Sequence, residues 1–217
     1  MKEAGSQPSG AAALAKGGRT NFLGFLLRLM ARFPFLVLAA RLYGAEELGR
    51  FAYATMVIEF AAQLATLGLK RGVAAEMARG DQPERDALAD GLLLSLVLAA
   101  IATAVLLIFP QLMFPDGMPA PAERWLALVV PAIVLSDITL AGLAFRHRIG
   151  VAVRARSIIE PWVLTITATL LSFSLLKPYG LLLAYATSMI AASVASVIPA
   201  IRMFGVPHGW RPDAARM

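Results

Sequence analysis

Six apolar runs of about twenty residues each constrain the fold of this chain more than any other feature. They cover residues 21–42, 48–69, 88–109, 124–145, 157–176 and 181–204. An α-helix needs about 20 apolar residues to cross the hydrocarbon core of a bilayer, so each run has the length of a membrane span. The runs are too long for strands and rich in Ala, Leu and Met. We therefore expect an all-α, polytopic membrane protein with six transmembrane helices.

Composition supports this class and excludes others. The chain is 59% hydrophobic and 16% charged, against about 45–50% and about 25% in soluble domains. This much apolar surface also excludes disorder. Six spans use roughly 120 of the 217 residues, and the remainder is too short for a soluble catalytic domain. The absence of cysteine excludes disulfides and thiolate metal sites, and two distant histidines do not favour a metal site.

The distribution of positive charge predicts the orientation. Lys and Arg total 20: fourteen lie in the tails and in the loops after the second and fourth runs, four lie in the alternate loops, and two lie inside the first run. Positive loops stay in the cytoplasm, so both termini are expected there. The predicted regions are a cytoplasmic N-terminal tail (1–20), a bundle (21–204) and a cytoplasmic C-terminal tail (205–217). Because the charges occur as short blocks between spans, no nucleic-acid partner is expected.

Two arginines lie within the first run, four residues apart on one helical face: Arg28 and Arg32. At the centre of a span each arginine costs about 2.5–3.5 kcal/mol. The cost of the two together nearly cancels the insertion free energy gained from the apolar residues of that run. This helix should therefore be stable only where its arginines meet water or a partner. For Arg28 the alternative is that its side chain reaches the near interface.

Glu59 falls at the centre of the second run, which crosses in the opposite direction to the first. Counting 1.5 Å per residue places it at the depth of Arg32 on a sequence-adjacent helix. Gln63 belongs to the same stripe of small and polar residues. We interpret this stripe as the lining of a hydrated interior, and the alternative for Arg32 and Glu59 is a structural ion pair without a transport role.

Two further carboxylates lie in the later spans. Asp137 is near the middle of the fourth run, and Glu160 precedes Pro161 near the start of the fifth. Charged side chains within spans are functional candidates by default. The alternatives are a hydrogen bond from Asp137 to a neighbour and a helix N-terminal charge at Glu160. The candidate substrate-binding residues are therefore Arg28, Arg32, Glu59, Gln63, Asp137 and Glu160.

No motif in the chain indicates catalysis. The sequence lacks a phosphate-binding G-x-x-x-x-G-K-[ST] loop, a G-x-S-x-G nucleophile turn and the zinc motif H-E-x-x-H. We therefore expect neither an enzyme nor a bound cofactor.

Three segments resemble a known family. Residues 39–54 (AARLYGAEELGRFAYA) are similar to the A-R-x-L/Y-G-x-E-x-[FL]-G-x-[FY] signature at the first-to-second span junction of bacterial polysaccharide flippases. Residues 67–79 (LGLKRGVAAEMAR) resemble the element closing their second span, and residues 156–161 (RSIIEP) resemble the segment opening their fifth. The family is the lipid-linked oligosaccharide and O-antigen export branch of the MATE-like flippase superfamily.

The resemblance implies two six-helix lobes around a cationic central cavity, alternating access, and substrates carried on undecaprenyl pyrophosphate. This chain would correspond to the N-terminal lobe and work with a second lobe, from another copy or a separate polypeptide, or else be a truncated product. Arg28 and Arg32 would attract phosphate or acidic glycan, and Glu59, Gln63 and Asp137 would line the path. The expected partners are this lipid-linked glycan, membrane lipids and the second lobe, in the cytoplasmic (inner) membrane.

Two other functions stay open. A MATE-like cation or drug exporter would use Glu59 and Asp137 to bind a cation. A non-transporting subunit or remnant of a polysaccharide assembly complex would associate with glycan-assembly enzymes without translocating a substrate.

Overall fold

The computed structural model describes residues 26, 29–30, 32–66, 68–115, 117, 120–206 and 210. Of these residues 87% are helical and none lies in a strand, so the all-α prediction is confirmed for the described part of the chain. The predicted N-terminal tail, the start of the first span with Arg28, and most of the C-terminal tail lie outside the described residues.

Nine α-helical segments follow one another in the described ranges. They are α1 (residues 32–43), α2 (Ala45–Thr66), α3 (Leu69–Arg79), α4 (Glu84–Ile108), α5 (Pro121–Arg124), α6 (Val129–Phe145), α7 (Ile149–Val153), α8 (Glu160–Ser172) and α9 (Gly180–Phe204). Three 3₁₀ turns, Pro110–Leu112, Trp125–Leu128 and Lys177–Tyr179, and one π-helical turn, Arg154–Ile159, complete the helical structure.

Four helical segments of the described chain are long and apolar enough to cross a membrane: Ala45–Arg79, Glu84–Ile108, Pro121–Phe145 and Lys177–Phe204. They correspond to the second, third, fourth and sixth apolar runs. The first run is described only in part. The fifth lies in a helical stretch that continues through α7, the π turn and α8, from Ile149 to Ser172, but this stretch is not among the four. The membrane class is supported, and the count of six spans stays a prediction.

Helix α6 lies at the centre of the bundle. It packs against α2, α3, α4 and α9, and α8 packs on the outer side of α9. Val130, Val134 and Ile138 of α6 are completely buried. A helix that is apolar around most of its circumference, as α6 is, belongs in such a position.

The outer surface of the bundle is apolar. On α4 the exposed residues Leu93, Val97, Ile101 and Val105 recur every fourth position and form one continuous row. The third run has a single charge, Asp90, near its start and none beyond it, and a lipid-facing helix is what such a run predicts. In water an apolar surface of this extent would be an association site, whereas in a bilayer it is the normal exterior.

A candidate charged site within the helix bundle

The structure brings five of the six candidate residues into one region of the bundle. Arg32 is on α1, Glu59 and Gln63 are on α2, Asp137 is on α6, and Glu160 begins α8. The sixth, Arg28, lies outside the described residues. Three side chains that the sequence analysis did not select complete the site: Lys70, Arg156 and Tyr185.

The centre of the site is a buried triad of charges. Arg156 Nη1 donates to Glu160 Oε2 at 3.1 Å, and Arg156 Nη2 donates to Asp137 Oδ1. The side chains of Asp137, Arg156 and Glu160 are only 12%, 16% and 6% exposed. Buried charges are costly unless they are paired and hydrogen-bonded, and each member of the triad meets that condition. Arg156 also donates to the Ile133 carbonyl at 3.4 Å.

A widened helical turn presents Arg156 to this triad. Residues Arg154–Ile159 are π-helical, and the Glu160 N–H donates to the Ala155 carbonyl five residues earlier. Pro161 has no N–H, so an α-helical bond to the Ser157 carbonyl cannot form. Single π turns within α-helices are frequent at functional sites. This turn places one cation against α6, α8 and α9 at once, because Arg156 also contacts Met189 Sδ at 3.7 Å.

Lys70 extends the network on one side. Its Nζ lies 2.7 Å from Asp137 Oδ2 and donates to Gln63 Oε1 at 3.2 Å. Between Gln63 and Lys70 the helix is interrupted at Gly68, whose φ of 76° is in the left-handed region. Because the chain changes direction there, Lys70 reaches α6 as well as α2.

Arg32 extends the network on the other side. Its Nη2 lies 3.9 Å from Glu59 Oε1 and 3.8 Å from Glu160 Oε1. The structure therefore places Arg32 and Glu59 at one depth, as counting along the two helices predicts. The side chains of Arg32 and Glu59 are 50% and 47% exposed. Tyr185 of α9 donates from its hydroxyl to Glu59 Oε1 at 3.4 Å.

A cavity of about 510 Å³ lies beside Arg32 and Glu59. Its wall is mostly apolar and aromatic, and its polar groups are gathered around this pair. The lining residues include Arg32, Glu59, Gln63, Thr55, Phe35, Phe51, Phe60, Leu164 and Tyr185. A ligand with a charged group next to a hydrocarbon or ring system would match this division.

The charges of the network are balanced. Three cations, Arg32, Lys70 and Arg156, alternate with three carboxylates, Glu59, Asp137 and Glu160. Within the described residues the site is therefore formally neutral, not cationic as the flippase resemblance implies. Arg28 would add positive charge if it joined the site, but it lies outside the described residues.

The opposite end of the bundle is held by different contacts. Arg50 Nη2 lies 2.9 Å from Glu123 Oε2, and its guanidinium lies 5.1 Å from the centre of the Phe114 ring. The Tyr43 hydroxyl donates to the Ala168 carbonyl at 2.6 Å. Burial raises the pKa of Tyr43 above its usual value, so this hydroxyl remains a donor.

No protein-family model, curated protein or solved structure matches this chain. The flippase resemblance therefore depends on the three quoted segments. Two of them contribute to the charged site: residues 67–79 contain Lys70, and residues 156–161 contain Arg156 and Glu160.

Proposed function

We propose that this chain is one six-helix lobe of a MATE-like flippase, which moves undecaprenyl-pyrophosphate-linked oligosaccharide across the cytoplasmic membrane for polysaccharide export. One observation carries the proposal: the most exposed cation of the charged network, Arg32, lines a cavity whose other walls are largely apolar. A lipid pyrophosphate combines an anionic group with a hydrocarbon chain, which is the combination that this cavity can accommodate.

The pairing of Arg32 supports phosphate binding. Its two carboxylate contacts, at 3.8 Å and 3.9 Å, are longer than the 2.7–2.9 Å typical of charge-assisted hydrogen bonds. A guanidinium offers five donors in a planar arrangement that matches phosphate oxygens. A pyrophosphate could therefore form close bonds to Arg32 without first breaking close ones, whereas Arg156 is already held by Asp137 and Glu160.

The predicted orientation is consistent with loading from the cytoplasmic leaflet. With six spans and both termini in the cytoplasm, Lys70 and Arg156 lie near the cytoplasmic ends of their helices. The charged network then extends from the centre of the bundle toward its cytoplasmic end, where a lipid-linked precursor would first meet it. A second six-helix lobe, from another copy or a separate chain, would complete the cavity and allow alternating access.

Arg32→Ala tests the assigned role. We expect it to abolish glycan export while membrane insertion is retained or improved, because a cation that disfavours insertion has been removed. Arg41→Ala is the matched control: Arg41 is exposed near the end of the same helix and lies outside the network. Surface glycan and the amount of inserted protein would be measured for both. Unchanged export in Arg32→Ala would contradict the proposal.

Glu59 favours a second candidate, a cation or drug exporter, because it is the exposed carboxylate of the cavity. Asp137, the other carboxylate expected to bind a cation, is already paired with Lys70 and Arg156. Glu59→Gln separates the two candidates. If the protein exports cations, this substitution should abolish efflux of a cationic dye. If it is a flippase, the substitution removes the carboxylate that competes with phosphate for Arg32 and should preserve phosphate binding.

A further inference from the structure

We infer that a second surface of this protein, formed by Arg148, Arg154 and Arg202 and called here the basic corner, binds the anionic headgroups of the surrounding bilayer. Arg148 directly precedes α7, Arg154 directly follows it, and Arg202 lies in the last turn of α9. This binding is independent of the proposed transport, since none of the three arginines belongs to the charged network.

A small apolar cluster holds these elements together. Leu140 and Leu143 of α6 and Ala200 of α9 are buried, and Val151 and Ala152 of α7 pack on them with Met203 and Phe204. Helix α7 is thus fixed across the ends of α6 and α9. Because each arginine is within three residues of a member of this cluster, the three cations are held at one corner of the bundle.

The basic corner differs in its pairing from three other arginines at this end. Arg79 pairs with Glu76 at 3.1 Å, Arg85 with Asp86 at 3.3 Å, and Arg146 with Glu84 at 2.9 Å. Within the described ranges, no carboxylate lies within ion-pair distance of Arg148, Arg154 or Arg202, and all three are exposed. Exposed arginines without an internal counter-charge are available to an external anion.

Exposed apolar side chains alternate with these arginines and identify the anion as a lipid headgroup. Ile149, Ile158, Ile201 and Val206 are all exposed at this corner. Cations mixed with exposed apolar groups suit the boundary between headgroups and acyl chains. A nucleic acid would match the charge but would leave this apolar surface in water, so the bilayer is the partner that fits both.

The test compares two triple variants of the full chain purified in detergent. R148Q/R154Q/R202Q removes the basic corner, and R79Q/R85Q/R146Q removes an equal charge from the paired arginines. Phosphatidylglycerol is titrated against phosphatidylcholine while the Tm is followed. Each arginine near an anionic surface increases the binding affinity about fivefold. The half-saturating phosphatidylglycerol concentration should therefore rise on the order of 100-fold in the first triple variant and much less in the second.

Three results would overturn the inference: equal Tm shifts from the two lipids in the unmodified protein, equal losses in the two triples, or a larger shift from a single-stranded RNA at the same ionic strength. A second measurement needs no variant and covers the case in which the first triple does not fold. For the unmodified protein, the half-saturating phosphatidylglycerol concentration should rise between about 0.05 M and about 0.5 M NaCl. A concentration independent of salt would contradict a headgroup contact.

Discussion

Arg156 joins three helices through a single guanidinium, and its loss should be costly. It pairs with Asp137 of α6 and Glu160 of α8 and contacts Met189 of α9. Arg156→Gln leaves two poorly exposed carboxylates with one cation fewer, and breaking such a buried pair costs about 3–5 kcal/mol. We expect a loss of about 3 kcal/mol in the free energy of unfolding, measured by denaturant titration in detergent.

Arg154→Gln is the control for that measurement. Arg154 lies two residues earlier in the same π turn but is exposed, so its replacement should change stability by less than about 0.5 kcal/mol. Equal losses in the two variants would mean that the buried triad does not stabilise the fold.

Individual residues also show what the sequence could predict about the site. Arg32 and Glu59 could be paired in advance, because depth along two antiparallel spans follows from counting residues. Lys70 and Arg156 were missed, because each was counted as a loop charge that sets the orientation. The spacing of Arg156 four residues before Glu160 was a visible signal of a helical ion pair. No local pattern shows that Gly68 directs Lys70 toward Asp137.

At the scale of helices, Tyr43 joins α1 to α8 and α9 and leaves no room for a side chain at Gly180. A methyl group at Gly180 would lie 2.8 Å from Tyr43 Cε1 and Cζ and closer still to the hydroxyl oxygen. That hydroxyl is held by its bond to Ala168 of α8, so the ring can move aside only by losing the bond. We expect Gly180→Ala to lower the free energy of unfolding by about 1–3 kcal/mol, the usual cost of overpacking.

Two comparisons test this explanation. Gly49 of α2 has open space where its methyl group would lie, so Gly49→Ala should be neutral or stabilise by about 0.5–1 kcal/mol. In a Tyr43→Ala background, Gly180→Ala should cost less than about 0.5 kcal/mol, since contacting residues are not additive. A full cost in that background would locate the strain elsewhere.

The helices themselves were predicted better than their ends. Apolar runs fix where helices lie, and the described helices follow them. The helical structure of the second run resumes in α3 after Gly68. A single left-handed glycine interrupts the helix there, and the residues after it again favour a helix. The fifth run begins earlier than predicted, with α7 and a π turn, because charges that hydropathy places in a loop are paired inside the bundle.

For the whole molecule, the number of spans can be measured directly. The chain has no cysteine, so single substitutions Asp81→Cys and Lys177→Cys can be labelled without background. With six spans, three crossings separate these positions and place them on opposite sides of the membrane. If only the four longest helical segments cross, two crossings separate them and place them on the same side.

We expect an impermeant maleimide to label Lys177→Cys in intact cells and Asp81→Cys only after permeabilisation. Labelling of both positions from the cytoplasmic side only would show that α8 does not cross, and the C-terminal tail, one crossing further on, would then lie outside the cytoplasm. Hydropathy does not decide this point, because the paired charges of Arg156 and Glu160 lower the apolar character of the segment without being exposed to lipid.

The balance of charges in the network has an electrical consequence. A membrane potential does work of about 2.3 kcal/mol per elementary charge per 100 mV. Three cations and three carboxylates that shift together carry no net charge across that field. The potential therefore neither drives nor opposes their joint movement, and if the proposed transport occurs, a turnover rate that varied with voltage would report charge outside these six groups.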